Sequence, residues 1–180
     1  MIGTFVSHDK PFIWGPRECT DVYDMNEKIV QRHNEIVRPD DHVYVLGDLM
    51  LGSNQSAGLA YIRRLNGKIH VAVGNHDSPN RCEAYALLPN VVEVECGYRL
   101  KHGKYQYWLS HYPTLTGNHD DSKPLEHKVI SLCGHVHTLD KFSDFDKGLI
   151  YHCEVDAHGL YPVSLEQIES EIIDKVGHIR

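Results

Sequence analysis

Residues Lys68–Asp77 read "KIHVAVGNHD", and the way this stretch divides decides the fold. Ile69–Val73 is a short, mostly apolar and β-branched run, Gly74 interrupts it, and Asn75, His76 and Asp77 follow at once. That pattern predicts a buried strand ending in a polar loop. The plan recurs in "VYVLGD" (Val43–Asp48), "YWLSHY" (Tyr107–Tyr112) and "ISLCGHVH" (Ile130–His137). Strand ends are where α/β folds gather reactive side chains, because the sheet fixes the backbone and the loop leaves room for a ligand. Here they deliver Asp48, Asn75, His76, His111, His135 and His137.

The segments between these strands carry helical spacing. "CTDVYDMNEKIVQRHNEIV" (Cys19–Val37) predicts an amphipathic helix capped by Thr20 or Asp21, with Val22, Met25, Ile29 and Ile36 on its apolar face. A second helix is predicted over about Ser56–Asn66, facing inward through Leu59, Ile62 and Leu65 and stopping at Gly67. "VVEVECGYRL" and "YQYWLSHY" flank "KHGK", which predicts a hairpin turning at Gly103. "LIYHCEVDAH" reads as a further strand, and "PVSLEQIESEII" as a closing helix capped by Ser164. The class that accommodates this order is α/β, with sheet packed between helices.

The chain has 180 residues, 41% of them hydrophobic, which suits one domain with a substantial core and argues against disorder. Its formal net charge of -7, with no Lys/Arg run, argues against nucleic-acid backbone or an anionic membrane as the main partner. No apolar run approaches the ~20 residues that span a bilayer, and no signal peptide follows Met1, so a cytoplasmic setting is expected. The five cysteines are odd in number and lack C-x-x-C spacing, which argues against a thiolate zinc site and a disulfide framework.

Each polar element has a plain structural explanation when taken alone. Gly-Asp after a strand is usually a turn, Asn-His-Asp a polar loop, and a single histidine such as His111 a satisfied core residue. His135 and His137 are stronger, because alternate residues on an extended strand point the same way. Six such residues, each at a strand end, are not a coincidence of turns. Their oxygen and nitrogen donors suit hard to borderline divalent ions.

In this order, Gly47-Asp48, Gly74-Asn75-His76-Asp77, His111 and Gly134-His135-Val136-His137 resemble the calcineurin-like metallophosphoesterase superfamily, most of all the small single-domain bacterial and phage subgroup. "HDKPFIWGPREC", "RPDDHVYVLGD" and "VDAHGLYPVSLEQI" are similar to that subgroup too, so the likeness runs along nearly the whole chain. It implies one metallophosphoesterase domain over residues 1–180, built as a sandwich of two mixed sheets flanked by helices. It also implies a metal-dependent hydrolase in which a metal-activated hydroxide attacks a phosphodiester or a monoester. Asp48 would bridge two ions, Asn75, His111 and His135 would complete one, and His137 would bind the other. His76 would act as the acid and Asp77 would orient it, while Arg81 would contact substrate phosphate. The expected cofactors are one or two divalent ions per chain, Mn²⁺ first, with Fe, Zn, Ni or Mg as alternatives. The expected partner is a small phosphorylated substrate such as a nucleotide, with no membrane. "GNHD" occurs again at Gly117–Asp120, but with no strand before it, and reads as a loop.

One departure matters. The superfamily opens with Asp-x-His at the end of its first strand, and this chain has none. Matched without a gap, Gly3 and Phe5 stand in those places and the first strand is missing. Matched otherwise, "TFV" (Thr4–Val6) is a shortened strand and His8 or Asp9 a substitute ligand. The ungapped match is simpler, so a missing strand is the expectation, with exposed sheet edges that favour a dimer. The alternative function is a degenerate or N-terminally truncated member that binds nucleotide or phosphate with little turnover.

Overall fold

The computed structural model describes residues 2–3, 17–116, 123–143 and 149–177. Its order is β1 (Ile2–Gly3), α1 (Val22–Ile36), β2 (His42–Val45), α2 (Gln55–Ile62), β3 (Lys68–Ala72), α3 (Pro79–Ala86), β4 (Val91–Glu95), β5 (Tyr98–His102), β6 (Tyr105–Leu109), β7 (Val129–Cys133), β8 (Ile150–His152) and α4 (Leu165–Gly177). The strands form two sheets, β1-β2-β3-β4 and β5-β6-β7-β8. Among the described strands the first sheet is parallel and the second mixed, because the β5–β6 pair is antiparallel and β6–β7 and β7–β8 are parallel. The expected two-sheet α/β architecture with flanking helices is present.

A first strand is present where a missing one was expected. Ile2–Gly3 pairs in parallel with Tyr44–Val45, which places β1 at the edge of the first sheet. Thr4–Val6, His8, Asp9 and the second "GNHD" lie outside the described residues.

Two core clusters fix the layers. One packs Val43, Val45, Ile69 and Val71 against Met25, Ile29, Ile62 and Tyr85 from the helices. The other joins Leu46 and Ala72, at the ends of β2 and β3, to Leu109, Leu132, Tyr151 and Ile168. Tyr44 and His70 stack at 4.7 Å, and Tyr98 meets both edge-on while donating from its hydroxyl to the Val71 carbonyl at 3.0 Å, which ties β5 to the first sheet. Tyr105 and Tyr107 are buried, so the hairpin aromatics serve packing.

Local signals placed the helices with small errors. The Asp21 carboxylate caps α1 by accepting from Asp24 N at 2.8 Å. Met25 and Ile29 face inward with Val30 and His33, but Ile36 is 41% exposed, since the chain leaves the helix there. The second helix ends at Ile62, yet Leu65 stays buried on the turn before Gly67 at φ +97°. Ser164 Oγ accepts from Gln167 N at the start of α4, as expected.

One element was misread. "VVEVECGYRL" is two strands in different sheets, because the chain crosses over at Cys96–Gly97. A Cβ at Gly97 would lie 2.9 Å from the Leu109 carbonyl oxygen, so the crossover needs glycine. α3 was not anticipated, although Ser78-Pro79 is a recognisable N-cap and first-turn pair.

Candidate metal centre

β2, β3, β6 and β7 all present their C-terminal ends to one place. The chain leaves β2 through Gly47 and Asp48, both at positive φ (+80° and +52°). This hairpin-tight exit aims the Asp48 carboxylate back over the sheet, where Oδ1 accepts from His76 N at 2.8 Å. His111, just past β6, is buried to 1% exposure and its Nδ1 lies 2.7 Å from the Leu46 carbonyl oxygen. A carbonyl can only accept, so Nδ1 carries the proton and Nε2 of the neutral ring keeps a lone pair.

Around that Nε2 stand Asn75 Oδ1 at 2.9 Å, His135 Nδ1 at 3.0 Å and Asp48 Oδ2 at 3.4 Å. Asp48, His111 and His135 offer ligand atoms all within 4.8 Å of one another. Four lone-pair donors this close repel unless a cation lies between them. Ligands bound at ~2.1 Å around a tetrahedral or octahedral ion sit about 3.0–3.5 Å apart, the spacing seen here. The donor set, one carboxylate, one amide oxygen and two imidazoles, therefore fits a borderline divalent ion.

Without an ion, a proton is the substitute. Burial pushes His111 down, but Asp48 and the Leu46 carbonyl outweigh it and raise the ring above its ordinary value. Burial would raise Asp48, yet hydrogen bonds from His111 and His76 N–H hold it below the usual range. Burial and the neighbouring His111 depress His135. Metal binding displaces the shared proton.

Glycines make the close approach possible. A Cβ on Gly47 would stand 2.7 Å from His111 Cγ and 2.8 Å from Gly74 Cα, and one on Gly74 would stand 3.0 Å from Asp48 Cγ. Gly47→Ala is expected to lower stability by about 1–3 kcal/mol through overpacking and to weaken Mn²⁺ binding by shifting His111. Thermal melts with and without Mn²⁺ check this, and an unchanged Mn²⁺-induced shift would count against it.

The remaining residues are placed differently from expectation. His135 and His137 lie beyond β7, both in left-handed backbone (φ +77° and +54°), so the argument from alternation on an extended strand does not apply. His137 Nδ1 is 3.2 Å from Asp156 Oδ2. Asp77 does not spend its carboxylate on the His76 ring. It accepts from Asp48 N (2.7 Å), Gly74 N (2.9 Å), Leu49 N (3.3 Å) and Tyr85 Oη (2.8 Å), tying the exits of β2 and β3 together. Arg81 donates to the carbonyls of Met50, His76 and Gly52, so it braces two loops rather than reaching outward. The His76 side chain is exposed beside the donor cluster.

Several contributors went unnoticed in the sequence. Tyr112 is 49% exposed, and its ring stands edge-on to His111 and His135 at 4.9 and 4.7 Å. Glu154 is wholly buried and its Oε1 accepts from Val136 N at 3.2 Å, pinning the His135–His137 loop. Asp156 pairs with Arg17 through two 2.7 Å bonds. "LIYHCEVD" is also a strand ending in acidic residues, so the strand-end rule, applied there too, would have found Glu154 and Asp156.

Fold and centre together define an α/β two-sheet protein with a group of residues at its strand ends spaced to hold a metal ion. The family model described as calcineurin-like phosphoesterase matches residues 18–175. The chain belongs to that family, a class of metal-dependent hydrolases acting on phosphate esters. It is 28% identical over 169 residues to the uncharacterized protein MJ1445 of Methanocaldococcus jannaschii, covering 92% of this chain and 85% of that one. The crystal structure of the protein of unknown function AQ665 from Aquifex aeolicus superposes with a TM-score of 0.71 at 19% identity, over 94% of this chain and 96% of that one. Among the described residues, no helix is long and apolar enough to cross a membrane.

Proposed function

We propose that the chain hydrolyses small phosphodiesters, with monoesters as poorer substrates, at the Asp48–Asn75–His111–His135 centre. The observation that carries this is the convergence of those four donors beside an exposed His76. A bound divalent ion, Mn²⁺ in first place, supplies a Lewis acid and an acidified water. The residues do the rest. Asp48 brings the negative charge that holds the ion, and the Leu46 carbonyl keeps His111 in the ligand tautomer. His76 hydrogen-bonds a phosphoryl oxygen and passes its proton to the leaving alkoxide, with its backbone anchored through N–H to Asp48 and C=O to Arg81. Tyr112 offers a flat half-exposed ring at the mouth, on which a nucleobase can stack, so a nucleotide ester is the favoured substrate class.

One observation favours the alternative, a nucleotide- or phosphate-binding protein with little turnover. Gly3, on β1, has no side chain to offer where the superfamily has a carboxylate. Elemental analysis of the full chain together with Mn²⁺-stimulated hydrolysis of bis-p-nitrophenyl phosphate separates the two. At least one ion per chain and turnover that His76→Ala lowers about 10²–10⁴-fold are expected. Bound metal with no turnover would hand the case to the binding protein.

A further inference from the structure

The mouth of the four-donor cluster has two unlike halves. Over the first sheet, the loops leaving β2 and β3 expose Gly52, Ser53, Asn54, Asn75 and His76, all small or polar. Over the second sheet, the exits of β6 and β7 expose Tyr112 (49%), Val136 (50%) and Leu139 (77%). The cluster is the seam between the halves, since Asp48 and Asn75 follow strands of the first sheet and His111 and His135 strands of the second.

The apolar side chains are held out by a braced backbone. Gly134 N donates to the His111 carbonyl at 3.1 Å, which sets the exits of β6 and β7 side by side. Val136 N donates to the Gly134 carbonyl at 3.0 Å and to the buried Glu154 Oε1 at 3.2 Å. Asp140 N donates to Thr138 Oγ1 at 3.0 Å, and the Lys141 carbonyl accepts from His152 N at 2.9 Å, at the end of β8. Between Val136 and Leu139, His137 Nδ1 is engaged with Asp156 Oδ2 at 3.2 Å. The loop is thus fastened at both ends while two aliphatic side chains stand in water beside a half-exposed tyrosine. A single exposed apolar residue is ordinary, but several along the rim of one site mark a binding surface.

The position of the rim says what it binds. A phosphoryl group seated at the four donors lies on the seam, so the two arms of a diester fall on the two halves. The acid His76 stands on the polar half, so the arm that leaves lies there and the arm that stays crosses the apolar half. We propose that Tyr112, Val136 and Leu139 form a subsite for the retained arm of a phosphodiester, and that this arm is apolar, an aromatic group before an alkyl chain. The proposal rests on the phosphoesterase reading above and deepens it. A rigid ring covers such a surface with less loss of rotor entropy than a chain does, which sets the order. A monoester has no retained arm and forgoes the subsite.

The test compares p-nitrophenyl phosphodiesters that share one leaving group and differ in the retained arm, methyl against phenyl, on the full Mn²⁺-loaded chain. Wild type is expected to favour phenyl about 5–50-fold in kcat/KM, the worth of one ring stacked on an open surface, with the difference carried by KM. The paired replacement Val136→Thr with Leu139→Ser leaves the four donors in place and is expected to lose most of that preference, as is Tyr112→Ala. A methyl ester turned over as well as the phenyl one by wild type, or a phenyl preference that survives both variants, would overturn the proposal. An octyl ester turned over better than the phenyl one would overturn the aromatic order in favour of a lipid arm. Failure of the phosphoesterase reading looks different, because no diester is then hydrolysed. The subsite is still read in that case by calorimetric titration of the Mn²⁺-loaded chain with phenyl phosphate and methyl phosphate. Tighter binding of phenyl phosphate, lost in the same variants, is expected, and equal affinities would overturn the subsite by itself.

Discussion

Asp77→Ala is expected to cost about 3–5 kcal/mol of stability, the largest loss for any single polar side chain in the site. The reason is the asymmetry between making a hydrogen bond and stranding a donor. An unsatisfied buried donor costs about 1–3 kcal/mol, and Asp77 serves the N–H groups of Asp48, Leu49 and Gly74 together with the Tyr85 hydroxyl. The four are neighbours, so their losses do not simply add. Tyr85→Phe, which removes a donor along with its bond, should cost only about 0.5–1.5 kcal/mol. Urea midpoints at constant m-value measure both. A value for Asp77→Ala within about 0.5 kcal/mol of wild type, the range of ordinary surface changes, would mean that water replaces the carboxylate. Asp77→Ala should also lose metal affinity, because the same carboxylate fixes the Asp48 backbone in its left-handed turn.

Asp48→Asn is expected to abolish metal-dependent hydrolysis while leaving a folded protein. Asparagine keeps an acceptor for the His76 N–H, so the loop contact survives. What disappears is the sole formal negative charge among the four donors, against two imidazoles and an amide. Losing an outer partner of a ligand typically costs 10–100-fold in affinity, and losing the charged ligand itself should exceed that. Wild type at 100 times the dissociation constant of Mn²⁺ gains about 2.7 kcal/mol, seen as a rise in Tm, and Asp48→Asn should show almost none. An equal Mn²⁺-induced rise in the variant would place the ion elsewhere.

Much of this site was legible because strand-end chemistry leaves a local trace. Asp48, Asn75, His111 and His135 each follow an apolar run of strand length, and each is where that rule put it. The second helix, the hairpin turn at Gly103 and the Ser164 cap were legible for the same reason, since capping and turn residues act within a few positions of themselves. The rule was blind where the partner is far away in sequence. Arg81 and Asp77 both looked like functional groups of a polar loop, and only contacts with Met50, Gly52, Asp48 and Tyr85 show that they brace it.

The sequence by itself determined the class of fold and which polar residues stand at the strand ends, because hydrophobic period, glycine placement and the polar residues after each strand are local properties. It could not say that "VVEVECGYRL" splits between two sheets, since alternation along a strand carries no record of which sheet it joins. Nor could it say that Arg17 and Asp156, 139 positions apart, share two bonds beside His137. Those are decisions of tertiary packing. They depend on which loops the two core clusters bring to the same strand ends, and on which buried charges then have to be satisfied.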